Sequence, residues 1–277
     1  HKEYRRQRQM CIRDSYSGFS IVKPLTSKHA AIDKTIEVLQ YMQTQSGHSL
    51  RCVRTDNGGE YVNHTLQDYF NTNGIQHQRT VPYTPQQNGV AERLNRTLLD
   101  RTRAMLYDSG LPTTLWAEAL NTANYLRCIS PSSGRKLVPF ELFFGTKPDV
   151  SHLRVFGSKA YALLPPHQRT DKLSARSQLG TFVGYQDGTK GYRILGKDHK
   201  IIISRDVIFD ESLGSNSPGN NDVYNNAPVA DYDNTVPLDI SFAPTQDSGR
   251  PSTPPANPFG LYGDRSFSQS PSPPRDR

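Results

Sequence analysis

The chain has 277 residues, 34% hydrophobic, with 20 prolines and a formal net charge of +7. That is room for one mid-sized domain plus something smaller, but too little apolar content for a wholly folded chain. From Glu211 onward there are 8 acidic and 4 basic residues, which leaves 29 basic and 18 acidic residues in 1–210. A basic fold favours polyanionic partners, because each neutralised phosphate releases counterions. Three cysteines without a C-x-x-C pair support neither a zinc site nor a disulfide framework, and no apolar run is long enough for a membrane helix.

Residues 1–15 (HKEYRRQRQMCIRDS) follow neither the helical nor the strand period. The run Gln9 to Asp14 looks like an in-frame translation of a sequencing-library adapter, so 1–15 is set aside as a non-native segment. The alternative is a basic arm that binds nucleic acid. Gly18 to Leu25 is β-rich and reads as a strand. Ala30 to Thr44 carries Ile32, Ile36, Leu39 and Met42 at helical spacing. Ser49 to Thr55 reads as a strand that stops at the turn signal Asp56-Asn57-Gly58-Gly59. Leu66 to Asn73 is a short helix ended by Gly74, and Ile75 to Val81 a further strand.

Two prolines and a glycine keep Pro82 to Gly89 non-helical. Val90 to Ser109 is a long helix, broken by Gly110 and Pro112, and Thr113 to Cys128 is another. This order indicates an α/β domain over 16–148. Val155–Leu163, Leu179–Tyr185, Tyr192–Leu195 and Lys200–Phe209 are four strand candidates of a small all-β module over 149–210. In 211–277, 11 of the 20 prolines fall among serine, asparagine and glycine. Such a segment buries too little apolar area to offset its ordering entropy, so a disordered linker is expected.

Asp56 stands where a strand meets its turn, and Glu92 in the first turn of the long helix, with 35 residues between them. Taken singly, each has an ordinary role: Asp before Asn-Gly forms turns, and Glu near a helix start complements the dipole. Their context is more specific. Residues 53–61 (VRTDNGGEY) and 82–92 (PYTPQQNGVAE) resemble the DD35E integrases, in wording closest to the Copia-type (Pseudoviridae) LTR-retrotransposon Pol polyprotein. The runs 91–97 (AERLNRT), 115–119 (LWAEA), 152–157 (HLRVFG), 182–185 (FVGY) and 204–209 (SRDVIF) extend the match over about 16–211.

The resemblance implies an RNase H-like integrase core followed by an SH3-like module. Its activity would be DNA integration by a DDE polynucleotidyl transferase, an endonuclease and nucleotidyltransferase that processes 3′ ends and transfers strands. Three carboxylates would hold two Mg²⁺ (or Mn²⁺) ions, because hard cations take oxygen ligands and two ions can stabilise both the attacking and the leaving oxygen. Asp56 and Glu92 would be two of those catalytic and metal-binding acids. The family's first aspartate lies on a strand preceding 18–25, which is missing here. Asp14 stands at the junction and corresponds to a non-catalytic acid, so the chain alone is expected to be inactive.

By the same resemblance, Tyr83, Gln86, Gln87 and Asn88 would form a mobile loop that positions a DNA end; an ordinary proline-rich loop is the plain alternative. Arg93, Asn95, Arg96 and Arg103 would meet phosphates from the helix, although an arginine-rich helix face is also what solvation looks like. Lys159, Lys172, Arg176, Lys190 and Arg193 give the β-module a weaker claim to DNA. Trp116, Phe143 and Phe144 read as core residues, and the histidines are too dispersed for a metal cluster. The implied partners are double-stranded DNA, further copies of the chain, and a reverse transcriptase in the same polyprotein, with no membrane. The implied location is the nucleus, with a cytoplasmic virus-like-particle stage. The competing readings are a non-catalytic nucleic-acid-binding remnant of a degenerate or domesticated element, and a bacterial DDE transposase.

Overall fold

The computed structural model describes residues 8–25, 27, 30–55, 61, 63–79, 89–132, 134–165, 169, 173–211 and 238–243. In chain order the first elements are β1 (Arg8–Asp14), β2 (Ser20–Leu25), α1 (Ala30–Ser46), β3 (Leu50–Thr55), α2 (His64–Thr72), β4 (Gln76–Arg79), α3 (Gly89–Ser109), α4 (Trp116–Ile129) and α5 (Pro139–Phe144). Then come β5 (Lys159–Leu163), β6 (Ser177–Tyr185), β7 (Tyr192–Gly196), β8 (Ile201–Ser204), β9 (Val207–Asp210) and β10 (Leu238–Phe242).

Two five-stranded sheets result, one in the order β2-β1-β10-β3-β4 and the other β8-β7-β6-β5-β9. The first is mixed: β1 runs antiparallel to β2 and parallel to β10, and β3 runs antiparallel to β10 and parallel to β4. Alternation decides what each face meets. Met10, Ile12, Leu238, Ile240 and Val53 join Val38, Leu39 and Met42 of α1 in the main core. On the opposite face Cys11 and Val22 pack against Leu94, Leu98 and Leu120 of α3 and α4. The α/β core and the all-β module expected from the sequence are therefore both present.

Four expectations change. Residues 8–14, set aside in the sequence reading, form β1, with Met10 and Ile12 fully buried. Helices cover both faces of β1, so its burial is nearly continuous and no alternation marks it in the sequence. Lys200–Phe209 is two strands: the chain bends at Arg205-Asp206, so β8 pairs with β7 while β9 crosses to the other edge and pairs with β5. The strand expected from Val155 begins at Lys159, after Gly157 turns at φ +88°. Of the segment read as a linker, the structure describes Glu211 and 238–243, and there β10 lies in the middle of the first sheet.

The β-module is fastened to α3 and α4. A Cβ on Gly157 would lie 2.4 Å from the Ser109 Cβ, and one on Gly184 would lie 2.6 Å from the Thr122 Oγ1. Only glycine allows approaches this close. The Thr122 hydroxyl also donates to the Val183 carbonyl at 3.2 Å. Around these contacts Leu106 and Ala119 from the helices pack with Phe156 and Val183 from the module. Arg193, offered above as a DNA contact, instead makes two hydrogen bonds to Glu118 on α4.

Candidate active site and nucleic-acid face

Glu92 is exposed in the first turn of α3. That helix lies on the sheet through Leu94 and Leu98, because these apolar residues recur at i and i+4. The remaining side of α3 faces solvent and carries Arg93, Arg96 and Arg103 beside Glu92. Arg103 also pairs with Asp100 across one helical turn at 3.1 Å. Arg101 is exposed too and was missed by the sequence reading; its spacing of eight from Arg93 is the signal that could have found it.

Asn95 belongs elsewhere. It is 7% exposed and accepts a hydrogen bond from the Gln9 side-chain amide of β1. A polar residue in the buried stripe needs a partner, and Gln9 supplies it from far away in sequence. Asn95 therefore seats α3 on the sheet.

Asp56, Tyr83, Gln86, Gln87 and Asn88 lie outside the described residues. β3, which leads to Asp56, ends at the buried Thr55, whose hydroxyl is 2.8 Å from the His77 Nε2 on β4. Burial, and secondarily Arg79, pushes the His77 pKa down, so the ring is neutral at pH 7.

Beyond the area covered by α3 and α4, the first sheet is open among the described residues. A groove of about 310 Å³ there is lined by Ser15, Arg51, Arg54, Gln76, Gln78, Asp239 and Ser241. Arg54 donates to the Gln78 amide oxygen at 3.1 Å, and Arg13 donates to Asp239 at 3.1 Å. Burial raises the Asp239 pKa, and Arg13 and Arg54 oppose that shift. Alternation along 50–55 could have exposed Arg54 as a candidate; nothing in the sequence tied it to Asp239.

Asp14 is engaged locally. Its carboxylate accepts from the Ser17 amide at 2.8 Å, the Ser17 hydroxyl at 2.5 Å and the Tyr16 amide at 3.3 Å, closing the turn between β1 and β2. Among the described residues no group of three or more His, Cys, Asp or Glu is placed to hold a metal ion. The cysteines are free and buried. Burial pushes the Cys11 thiol up to about 12, which removes it as a nucleophile at neutral pH. No described helix is long and apolar enough to cross a membrane.

Residues 158–222 match the family described as the retroviral polymerase SH3-like domain. Over 186 residues, 65% of this chain, it is 42% identical to the Retrovirus-related Pol polyprotein from transposon TNT 1-94 of Nicotiana tabacum. Over 269 residues, 93% of this chain, it is 30% identical to the Pol polyprotein from transposon RE1 of Arabidopsis thaliana. A Ty1 Gag-Pol polyprotein of Saccharomyces cerevisiae is 31% identical over 185 residues. The chain spans only 14% of the tobacco polyprotein and 18% of the Arabidopsis one. Among solved structures, a simian T-cell lymphotropic virus intasome chain aligns with 73% of this chain and 76% of its own at TM-score 0.41 and 16% identity. The catalytic core domain of BIV integrase aligns with 51% of this chain and 95% of its own at TM-score 0.37 and 21% identity. At those scores the structural likeness carries no weight beside the sequence relatives.

Proposed function

We propose that this chain, a homologue of the Pol polyproteins of Copia-type retrotransposons, contributes the DDE-type integrase core that processes and joins element DNA. The observation that carries the reading is the position of Glu92. It is a solvent-facing carboxylate in the first turn of α3, a helix laid on the same sheet whose strand β3 ends one residue before Asp56. An exposed acid in that place is free to serve as a hard oxygen ligand.

Asp56 and Glu92 are the residues that would hold Mg²⁺ or Mn²⁺; two such ions would polarise the scissile phosphate and its attacking oxygen. Arg93, Arg96 and Arg103 give α3 a cationic side that attracts the DNA backbone and sets its register without reading sequence. Tyr83, Gln86, Gln87 and Asn88 would hold the DNA end from the loop before the helix. Asn95 is left out because it is buried. With two assigned carboxylates instead of three, the chain alone is expected to be inactive.

The partners that follow are element and target DNA duplexes, further copies of the chain, and a reverse transcriptase encoded in the same polyprotein. The place of action would be the nucleus after a cytoplasmic particle stage. The test is a strand-transfer assay with an element-end duplex and Mn²⁺, using a chain supplied with an upstream strand that bears a third aspartate. Joined product that disappears on Asp56→Asn or Glu92→Gln supports the reading. Product that survives either substitution undamaged overturns the site.

A further inference from the structure

A cavity of about 160 Å³ opens where the core meets the β-module, between α1, β2, α4 and the turn that joins β6 to β7. Much of its lining is apolar and buried. Val22 and Val38 are 5% and 2% exposed, and the rings of Tyr125 and Tyr185 stand 4.8 Å apart at 53°. Most polar side chains around it are already committed. Asn124 exchanges hydrogen bonds with Ser20, the Thr122 hydroxyl donates to backbone carbonyls, and the Tyr125 hydroxyl meets His152. At the mouth Lys23 is paired with Asp187 at 3.1 Å, and Glu37 with Lys34. Tyr41 differs: it lines the cavity, and its hydroxyl is buried without a hydrogen-bond partner. Burial raises the Tyr41 pKa and Asp187 adds to the shift, so the hydroxyl keeps its proton at neutral pH.

We propose that this cavity is a binding site for a small, uncharged, planar aromatic molecule with one hydrogen-bond acceptor, which receives the Tyr41 hydroxyl. Size sets the first limit: a cavity of about this volume holds a benzene-sized ring, and a fused second ring can extend through the mouth. The aromatic walls favour a flat ring, packed against their faces and edges. Charge sets the second limit. Lys23 is the cation of the lining and Asp187 already holds it, so a phosphate or carboxylate ligand finds no free partner. Polarity sets the third. A buried hydroxyl without a partner is costly, so a ligand that offers an acceptor is favoured over an isostere that does not. The walls come from both units, and an occupant that binds only the assembled joint stabilises it. Asp56 and Glu92 play no part in this site.

Quinoline and naphthalene have nearly the same shape and differ by one ring nitrogen that accepts a hydrogen bond. Each is titrated into the full chain at neutral pH and followed by saturation-transfer NMR. Quinoline is expected to bind saturably, about fivefold tighter than naphthalene, and to raise the melting temperature. Tyr41→Phe should bring the two probes to equal affinity while leaving naphthalene binding as it was. Val38→Phe fills the cavity from its buried wall and Ile21→Phe from a more exposed one. Whichever of these keeps a cooperative urea transition should bind neither probe. Three results would overturn the site: no saturable binding of quinoline to the unaltered chain, undiminished binding to a folded filled variant, or a preference for quinoline that outlasts Tyr41→Phe.

Discussion

The guanidinium of Arg193 on β7 grips the carboxylate of Glu118 on α4 with two hydrogen bonds, Nε to Oε2 at 2.7 Å and Nη2 to Oε1 at 2.6 Å. The two side chains are 26% and 17% exposed, so the pair is better shielded than an ordinary surface bridge. A planar fork on a carboxylate is the stronger form of ion pair. A double-mutant cycle with Arg193→Ala and Glu118→Ala, followed by urea denaturation, should return a coupling of about 1–2 kcal/mol. Additive single effects would show that the pair does not join the two units energetically.

Gly157 should tolerate no side chain. An added methyl group would collide with Ser109, and the backbone sits at φ +88°. Gly157→Ala is expected to destabilise by roughly 2 kcal/mol or more. Ser109→Gly in the same chain removes the atom struck and should restore part of the loss. The remainder measures backbone strain, which the second substitution leaves in place. Thermal melts of the four variants decide it, and no rescue would mean that the collision is not the cause.

Acid should loosen the joint. Burial lowers the pKa of His152, with Asp149 opposing and Arg154 reinforcing the shift, and lowers that of His77 as well. The sign follows from linkage: a folded pKa below the unfolded one means that the unfolded chain binds protons more readily. Stability is then full above an unfolded pKa of about 6.5 and falls as pH drops through that value toward the folded ones. The Tyr125 hydroxyl lies 2.7 Å from the His152 Nε2, so charging the ring disturbs a contact between α4 and the loop that leads to the module. Between pH 7.5 and 5 the melting temperature should decrease, and His152→Gln should flatten that slope. An unchanged slope would place the titration elsewhere.

For the α3 face, Arg93→Ala and Arg96→Ala should each weaken duplex DNA binding about equally for all sequences. Each should also reduce the salt dependence of log K by about one ion. Asn95→Ala should act differently, lowering stability through the lost Gln9 contact without changing the salt slope. Fluorescence anisotropy at several ionic strengths separates the two behaviours. A salt slope that Asn95→Ala shifts as much as Arg96→Ala does would contradict the assignment of faces.

The parts legible in the sequence are those that local pattern controls. α1, α3 and α4 announce themselves through helical spacing, and β3 ends where Asp56-Asn57-Gly58-Gly59 begins. Distant partners are what sequence hides. Asn95 looks like an exposed helix residue until Gln9, 86 positions away, appears beside it. Arg193 looks like a candidate DNA contact until the module is packed on α4. β10 is five residues in a proline-rich stretch, and only the two edges it fills make it a strand. β8 and β9 are separated in the sequence by Ser204-Arg205-Asp206, but that β9 crosses to the far edge of the sheet depends on sheet closure, which no window of sequence contains. Asp56 and the 82–88 loop, which the resemblance implies for the site, lie outside the described residues.

The bend at Arg205-Asp206 has a consequence for solubility. Because β8 and β9 are consecutive yet line opposite borders of their sheet, those borders are tied together by two residues, and the Asp206 carbonyl is already taken by the Leu163 amide. Neither border can slide away to recruit a foreign chain without tearing its neighbour loose. Fibre-like growth through the second sheet is thereby discouraged by connectivity itself, even with Ile203 and Ile208 facing water.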